Sequence, residues 1–236
     1  MIEPLVMLPG MMCDARVFQH QFIELSQDRA VTVAPITQGE RIEEIASGLL
    51  DQLPPRFALA GLSMGGIVAM ELVRRAPDRV TRLCLMDTTP LPETPQVASM
   101  REPLIVRARV GNFEDVIRET LKPEYLAPGP QRLDVLDRVV EMGIALGPEI
   151  YVRQSRALQR RPDLQIGLHR VKVPTLILCG AYDGMCPPQR HKVMADLITG
   201  AELLVLEGSG HLPTLEQPEA VTDAMRRWLD QDRPEG

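Results

Sequence analysis

The chain has 236 residues, with 26 Lys and Arg against 32 Asp and Glu and a formal net charge of −6. That length suits one large α/β domain with a proper core, and two full domains would be cramped. The acidic balance, the mixing of signs along the chain and the scarcity of aromatic residues argue against a general affinity for nucleic acid or anionic membrane.

The first residues, Met1 to Leu8, contain neither a basic leader nor an apolar stretch of signal length, and no apolar run approaches a membrane span. Cys13, Cys84, Cys179 and Cys186 form no C-x-x-C pair, and Cys84 and Cys179 lie inside apolar runs. A reduced, cytoplasmic protein is expected.

Leu5-Val6-Met7-Leu8 is apolar on both faces and ends in Pro9-Gly10, as a buried parallel strand does. Asp14 stands where a helix cap is needed, with Phe18, Phe22 and Leu25 following at helical spacing. Ala30 to Ala34 reads as a second strand. Ile42, Ile45, Leu49 and Leu53 mark an amphipathic helix stopped by Pro54-Pro55. Phe57 to Ala60 is a third strand, and the run from Met64 to Ala76 is a helix apolar nearly all round, as expected of one packed centrally on a sheet. Leu83-Cys84-Leu85-Met86, ending at Asp87, is the fourth strand. Strands alternating with helices in this way predict a parallel sheet with right-handed crossovers.

From Pro90 to about Leu168 no strand is legible. Met100, Leu104 and Ala108 suggest one helix, Phe113 to Leu121 a second, Leu133, Leu136, Val139 and Val140 a third, and Ile150, Gln154 and Leu158 a fourth. The expectation is a helical cap over residues 90–168, inserted after the fourth strand of a core formed by residues 1–89 and 169–236. Pro174 to Gly180 and Glu202 to Leu206 resume the sheet, with one helix carrying Val193, Leu197 and Ile198 between them and another carrying Val221, Met225, Trp228 and Leu229 at the end. The polar tail from Asp230 to Gly236 is expected to fray.

Gly61-Leu62-Ser63-Met64-Gly65 carries the pattern G-x-S-x-G between a strand and a helix. There the chain turns so tightly that the serine at the apex stands free of the sheet edge, and the flanking glycines leave room for the turn. A serine hydroxyl needs a base within hydrogen-bond reach, and the base needs an orienting acid. Of four histidines, His20, His169 and His191 read as surface or boundary residues. His211 lies in Gly208-Ser209-Gly210-His211-Leu212, directly after the last strand and hence on the sheet rim that carries Ser63. Asp87 and Asp183 are the acids on that rim; Asp183 is preferred because it yields the chain order Ser, Asp, His. An acyl-transfer site also needs oxyanion donors. The Met64 N–H, just after the serine, is one; the loop after the first strand supplies the other, with Met11 preferred and Met12 next to it. No metal, nucleotide or other cofactor is expected, because no H-E-x-x-H, P-loop or G-x-G-x-x-G is present.

These segments, together with Leu8-Pro9-Gly10, Ala76-Pro77-Asp78-Arg79-Val80 and Glu216-Gln217-Pro218-Glu219, make the chain resemble the α/β-hydrolase superfamily essentially end to end. It is similar in scale to small members with a four-helix cap, such as pimeloyl-carrier methyl esterases, enol-lactonases and SHCHC-synthase-like enzymes. The resemblance implies an α/β-hydrolase fold of about six parallel strands, since the usual N-terminal hairpin is missing from this sequence, and Pro9-Gly10 replaces the frequent His-Gly. It implies a serine esterase or lactonase acting on a small-molecule ester through an acyl-serine. A lyase or C–C hydrolase using the same triad, or a non-catalytic ligand receptor, are the alternatives.

The cap is expected to choose the substrate. Met11, Met12, Met64 and Met185 all fall in rim loops and suggest an adaptable apolar pocket. The cap is also rich in arginine, at positions 101, 107, 109, 118, 132, 138, 153, 156, 160 and 161. Most are expected on solvated faces, with one or two turned inward to hold a carboxylate or phosphate; Arg153 and Arg156 are the candidates.

Overall fold

The structure, a computed structural model, describes residues 2–231, so the last five residues of the expected fraying tail lie outside the described part. The strands are β1 (Leu5–Leu8), β2 (Val31–Val33), β3 (Phe57–Leu62), β4 (Val80–Met86), β5 (Thr175–Gly180) and β6 (Glu202–Leu206). They form one sheet in the order β2-β1-β3-β4-β5-β6, with every neighbouring pair parallel. Leu8 pairs with Gly61, Leu62 with Met86 and Gly180 with Leu206, so the carboxyl ends of the strands share one rim.

Side chains alternate across the pleat and feed two cores. Val6, Leu8, Leu59, Leu83, Leu85 and Ile177 face one side, which is covered by α2 (Ile42–Leu50), α3 (Met64–Arg75) and α9 (Pro188–Leu197). Leu5, Met7, Ala58, Ala60, Cys84 and Leu178 face the other, covered by α1 (Gln19–Leu25) and α11 (Pro218–Asp230) with Trp228 at the centre. All four cysteines are buried and unbridged. Among the described residues no helix is long and apolar enough to cross a membrane.

Between β4 and β5 the chain is helical: α4 (Pro95–Arg109), α5 (Phe113–Thr120), α6 (Arg132–Leu146), α7 (Pro148–Gln159) and the single turn α8 (Gln165–Leu168). Ile105, Val116, Ile117, Val140 and Tyr151 build a third small core there, joined by Met12 from the β1 loop. A further turn, α10 (Pro213–Glu216), precedes α11.

Several faces differ from the periodic reading. Phe22 is 42% exposed, because a 3-10 turn at Ala15–Phe18 intervenes after the Asp14 cap and rotates the face of α1 behind it. Met100 and Leu133 also face solvent. Strand β4 begins at Val80, earlier than its apolar run, because the buried Arg82 is paired with Glu3 and so tolerates an interior position.

Helix α3 approaches the sheet so closely that a Cβ on Gly65 would lie 2.1 Å from the Leu8 carbonyl oxygen. Both neighbours there are backbone, which has no rotamer to yield. Gly65→Ala should therefore cost about 2–3 kcal/mol, measured as the shift of a urea denaturation curve. Gly48→Ala in α2, where a Cβ meets nothing within 4 Å, should be neutral or stabilise by about 0.5–1 kcal/mol.

Candidate active site

Ser63 occupies the turn between β3 and α3 at φ 53° and ψ −116°, a conformation sparsely populated by residues with a Cβ. Its backbone is held on both sides. Its N–H donates to the Met86 carbonyl (2.8 Å), and its carbonyl accepts from the Gly66 N–H (3.0 Å) and the Thr88 hydroxyl (2.7 Å). A Cβ on Gly61 would meet the Gly65 carbonyl at 2.4 Å, so a side chain there would force the turn open.

The Ser63 Oγ lies 2.9 Å from His211 Nε2, and His211 Nδ1 lies 2.9 Å from Asp183 Oδ2. A carboxylate only accepts, so the imidazole donates its Nδ1–H to Asp183 and leaves Nε2 to accept from the serine hydroxyl. The other Asp183 oxygen accepts from the Met185 and Cys186 N–H groups, each at 2.8 Å. Burial alone would raise the Asp183 pKa, but the His211 contact and these two amides outweigh it and hold the group below the usual carboxylate range. Asp87, the other acid considered from sequence, does not reach His211. It is fully buried, accepts the Gly180 N–H through Oδ1 (2.9 Å), and is driven well upward by burial and the neighbouring Asp183 charge. Asp183, Cys186 and His211 bring three donor atoms within 4.8 Å of one another, but burial raises the Cys186 thiol pKa and opposes the thiolate a metal would need.

The loop bearing His211 is fastened by a residue the sequence reading gave no role. The Glu216 carboxylate accepts the Gly210 and Leu212 N–H groups at 3.0 Å and the Ala127 N–H at 2.8 Å. The His211 N–H itself donates to the Tyr125 carbonyl (2.8 Å). An acidic residue five positions after His211 was the available signal. Gln154 is the second such residue. It is 1% exposed on α7, accepts the Met12 N–H (2.9 Å) and donates to the Ile36 carbonyl (3.1 Å). Met12, at φ 55°, therefore has its amide engaged, whereas no protein acceptor for the Met11 N–H is found among the described residues. Met64 opens α3, where a helix leaves its N–H groups without an internal partner.

The methionine side chains divide. Met12 and Met64 are packed in the cores, while Met11 and Met185 are half-buried. The structure does not bring Arg153 and Arg156 to Ser63. Arg153 donates to Gln38 and Arg156 pairs with Glu102. Residues 151, 154, 155 and 158 form the buried stripe of α7, and helical geometry turns 153 and 156 away from it.

A sequence profile of the Alpha/beta hydrolase family matches residues 5–224. A pimeloyl-[acyl-carrier protein] methyl ester esterase of Neisseria meningitidis is 26% identical over 202 residues, covering 84% of this chain and 78% of that protein. The 3-oxoadipate enol-lactonase 2 of Acinetobacter baylyi is 26% identical over 190 residues, covering 78% and 69%. Among solved structures, a thermophilic esterase from Thermogutta terrifontis with malate bound superposes with a TM-score of 0.87 at 29% identity, covering 96% of this chain and 89% of that one.

His191 corrects the reading of it as a surface or boundary residue. It is fully buried on α9, and its Nε2 accepts the N–H of Thr88, the residue whose hydroxyl holds Ser63. Burial lowers its pKa from 6.5 to about 4, aided by His211 and Arg190 and opposed by Asp183 and the Pro187 carbonyl. Above the unfolded value both states are neutral. As pH falls, the unfolded chain binds a proton that the folded chain refuses until about pH 4, so the stability present above pH 6.5 is lost across that window. The loss should be about 3 kcal/mol. Urea titrations at pH 7 and pH 4 should show it, and His191→Gln, which keeps an acceptor for Thr88, should flatten that part of the slope.

Proposed function

This chain belongs to the alpha/beta hydrolase family, and from that premise we propose that it hydrolyses a small carboxylic ester or lactone through an acyl-serine, with Ser63, His211 and Asp183 as its triad. The observation that carries the reading is the unbroken line of two 2.9 Å contacts from Ser63 Oγ through the imidazole to Asp183. Two of its relatives are named for ester and lactone hydrolysis, which favours the same chemistry here.

Ser63 attacks the substrate carbonyl while His211 Nε2 takes its proton. Asp183, ionised and saturated with donors, keeps the imidazole in the tautomer that accepts and stabilises the imidazolium once formed. The Met11 and Met64 N–H groups receive the developing oxyanion. His211 then returns its proton to the leaving alkoxide, and water repeats the sequence on the acyl-serine. No metal or cofactor takes part in this scheme. Residues 90–168 act as the lid, with Met12 and Met185 near the acyl pocket. Four buried, unbridged thiols suit a reducing compartment such as the cytoplasm.

The test is stoichiometric labelling by a fluorophosphonate followed by a panel of p-nitrophenyl esters. Ser63→Ala should abolish labelling, and His211→Gln or Asp183→Asn should lower kcat by about 10⁴-fold. Labelling without turnover of any ester would favour a lyase or a non-catalytic ligand receptor instead. Gln154→Leu frees the Met12 amide and loosens the oxyanion loop, so kcat should fall about 10- to 100-fold with KM little changed.

A further inference from the structure

The arginines of the helical segment are not equally matched. Arg107 faces Glu119, Arg156 faces Glu102 and Arg160 faces Glu40, each with a carboxylate of its own. Arg101 and Arg161 share one. Glu93 Oε1 lies 2.6 Å from Arg101 Nη2 and 3.4 Å from Arg161 Nη1. All three side chains are largely withdrawn from solvent, at 18%, 10% and 4% exposed for Arg101, Arg161 and Glu93. The group thus carries a surplus positive charge where water screens it poorly.

Its position is on the rim. Arg101 Nη1 lies 3.8 Å from the Met11 sulfur, in the loop after β1. Arg161 donates Nε–H to the Leu91 carbonyl (2.9 Å), in the segment that follows β4, and its surroundings include the Cys186 thiol in the loop after β5 and Arg190 in the first turn of α9. In the sheet β3 and its serine turn lie between β1 and β4, so the cluster touches segments that leave the strands on either side of the one that carries Ser63. Burial lowers the Arg161 pKa, and the like charges of Arg101 and Arg190 add to that effect against the raising influence of Glu93. An added anion would relieve this strain.

We propose that Arg101 and Arg161, held in place by Glu93, form a subsite for an ionised carboxylate on the substrate, so that the preferred substrates are esters or lactones bearing a second, free acid group. This deepens the hydrolase reading and rests on it. Arg101 gives Nε and Nη2 to Glu93, and Arg161 gives Nε to the Leu91 carbonyl and Nη1 to Glu93, so Arg101 Nη1 and Arg161 Nη2 remain to donate, one from each guanidinium, to the two oxygens of a substrate carboxylate. Those pairs fix both side chains before substrate arrives, so little ordering remains to oppose binding.

Monomethyl adipate and dimethyl adipate differ in one charge and present the same methyl ester. At low ionic strength the protein should prefer the monomethyl ester in kcat/KM by tenfold or more, and added salt should reduce the preference. Arg101→Gln and Arg161→Gln should each lower that ratio at least tenfold; Arg161→Lys, which keeps the charge without the fork, replaces a glutamine variant that fails to fold and should lower it partly. A wild-type ratio of one or below, or a ratio unchanged in the folded variants, overturns the subsite. Adipate alone should raise the wild-type Tm and raise it less in Arg101→Gln, a readout independent of turnover. No shift with adipate, or an equal shift in both proteins, also overturns it. Failure to hydrolyse dimethyl adipate or any other neutral ester counts against the hydrolase reading, while the adipate shift still decides the subsite.

Discussion

The rim of this protein depends on a serine kept in a backbone conformation that costs about 1–3 kcal/mol to hold. The local contacts of Ser63 at φ 53° and ψ −116° are the first helical N–H groups on its carbonyl, and the rest of its support comes from distant residues. The conformation persists because β3 and α3 are packed together in one core, through Leu59 on the strand and Ile67 and Val68 on the helix, and the chain between them has no slack. The near approach of Gly65 to the Leu8 carbonyl, the Met86 carbonyl receiving the serine N–H and the Thr88 hydroxyl on the serine carbonyl all remove alternatives. Thr88 is held in turn by a histidine that stays neutral because it is buried, so the elbow is braced by a chain of contacts reaching α9.

The helical segment after β4 touches each loop that matters. Its Tyr125 carbonyl and Ala127 N–H fasten the His211 loop, the first directly and the second through Glu216. Its Gln154 secures Met12, and its Arg101 lies against Met11. A segment tied in this way to both sides of Ser63 cannot shift without disturbing the hydrogen bonds that place the loops.

Much of this was legible because it is written in short-range pattern. Continuous apolar runs of parallel strands, prolines at helix ends and the G-x-S-x-G turn are local signals, and the strands and the elbow appear where those signals lie. The failures also share a cause. Arg82 was outside the predicted strand because a charge argues against burial, and distant partners, the Glu3 carboxylate and the Trp228 carbonyl, make that burial acceptable. His191 looked peripheral because the approach of Thr88 is invisible in its neighbours in sequence. Arg153 and Arg156 were the candidates to turn inward, yet α7 turns its buried stripe through Gln154 and Ser155 instead.

Sequence alone determined that strands and helices alternate, that six strands lie parallel, and that Ser63, Asp183 and His211 fall on loops at one rim. Those features arise from periodicity, turn chemistry and the handedness of β-α-β crossovers, which act over a few residues or apply to every such fold. Tertiary structure alone decided that His211 meets Asp183 and not Asp87, that Gln154 engages the Met12 amide, and that Arg101 and Arg161 share a single carboxylate. Each of those outcomes is a choice between polar partners far apart in the chain, and it is settled by distance and burial once the cores have packed.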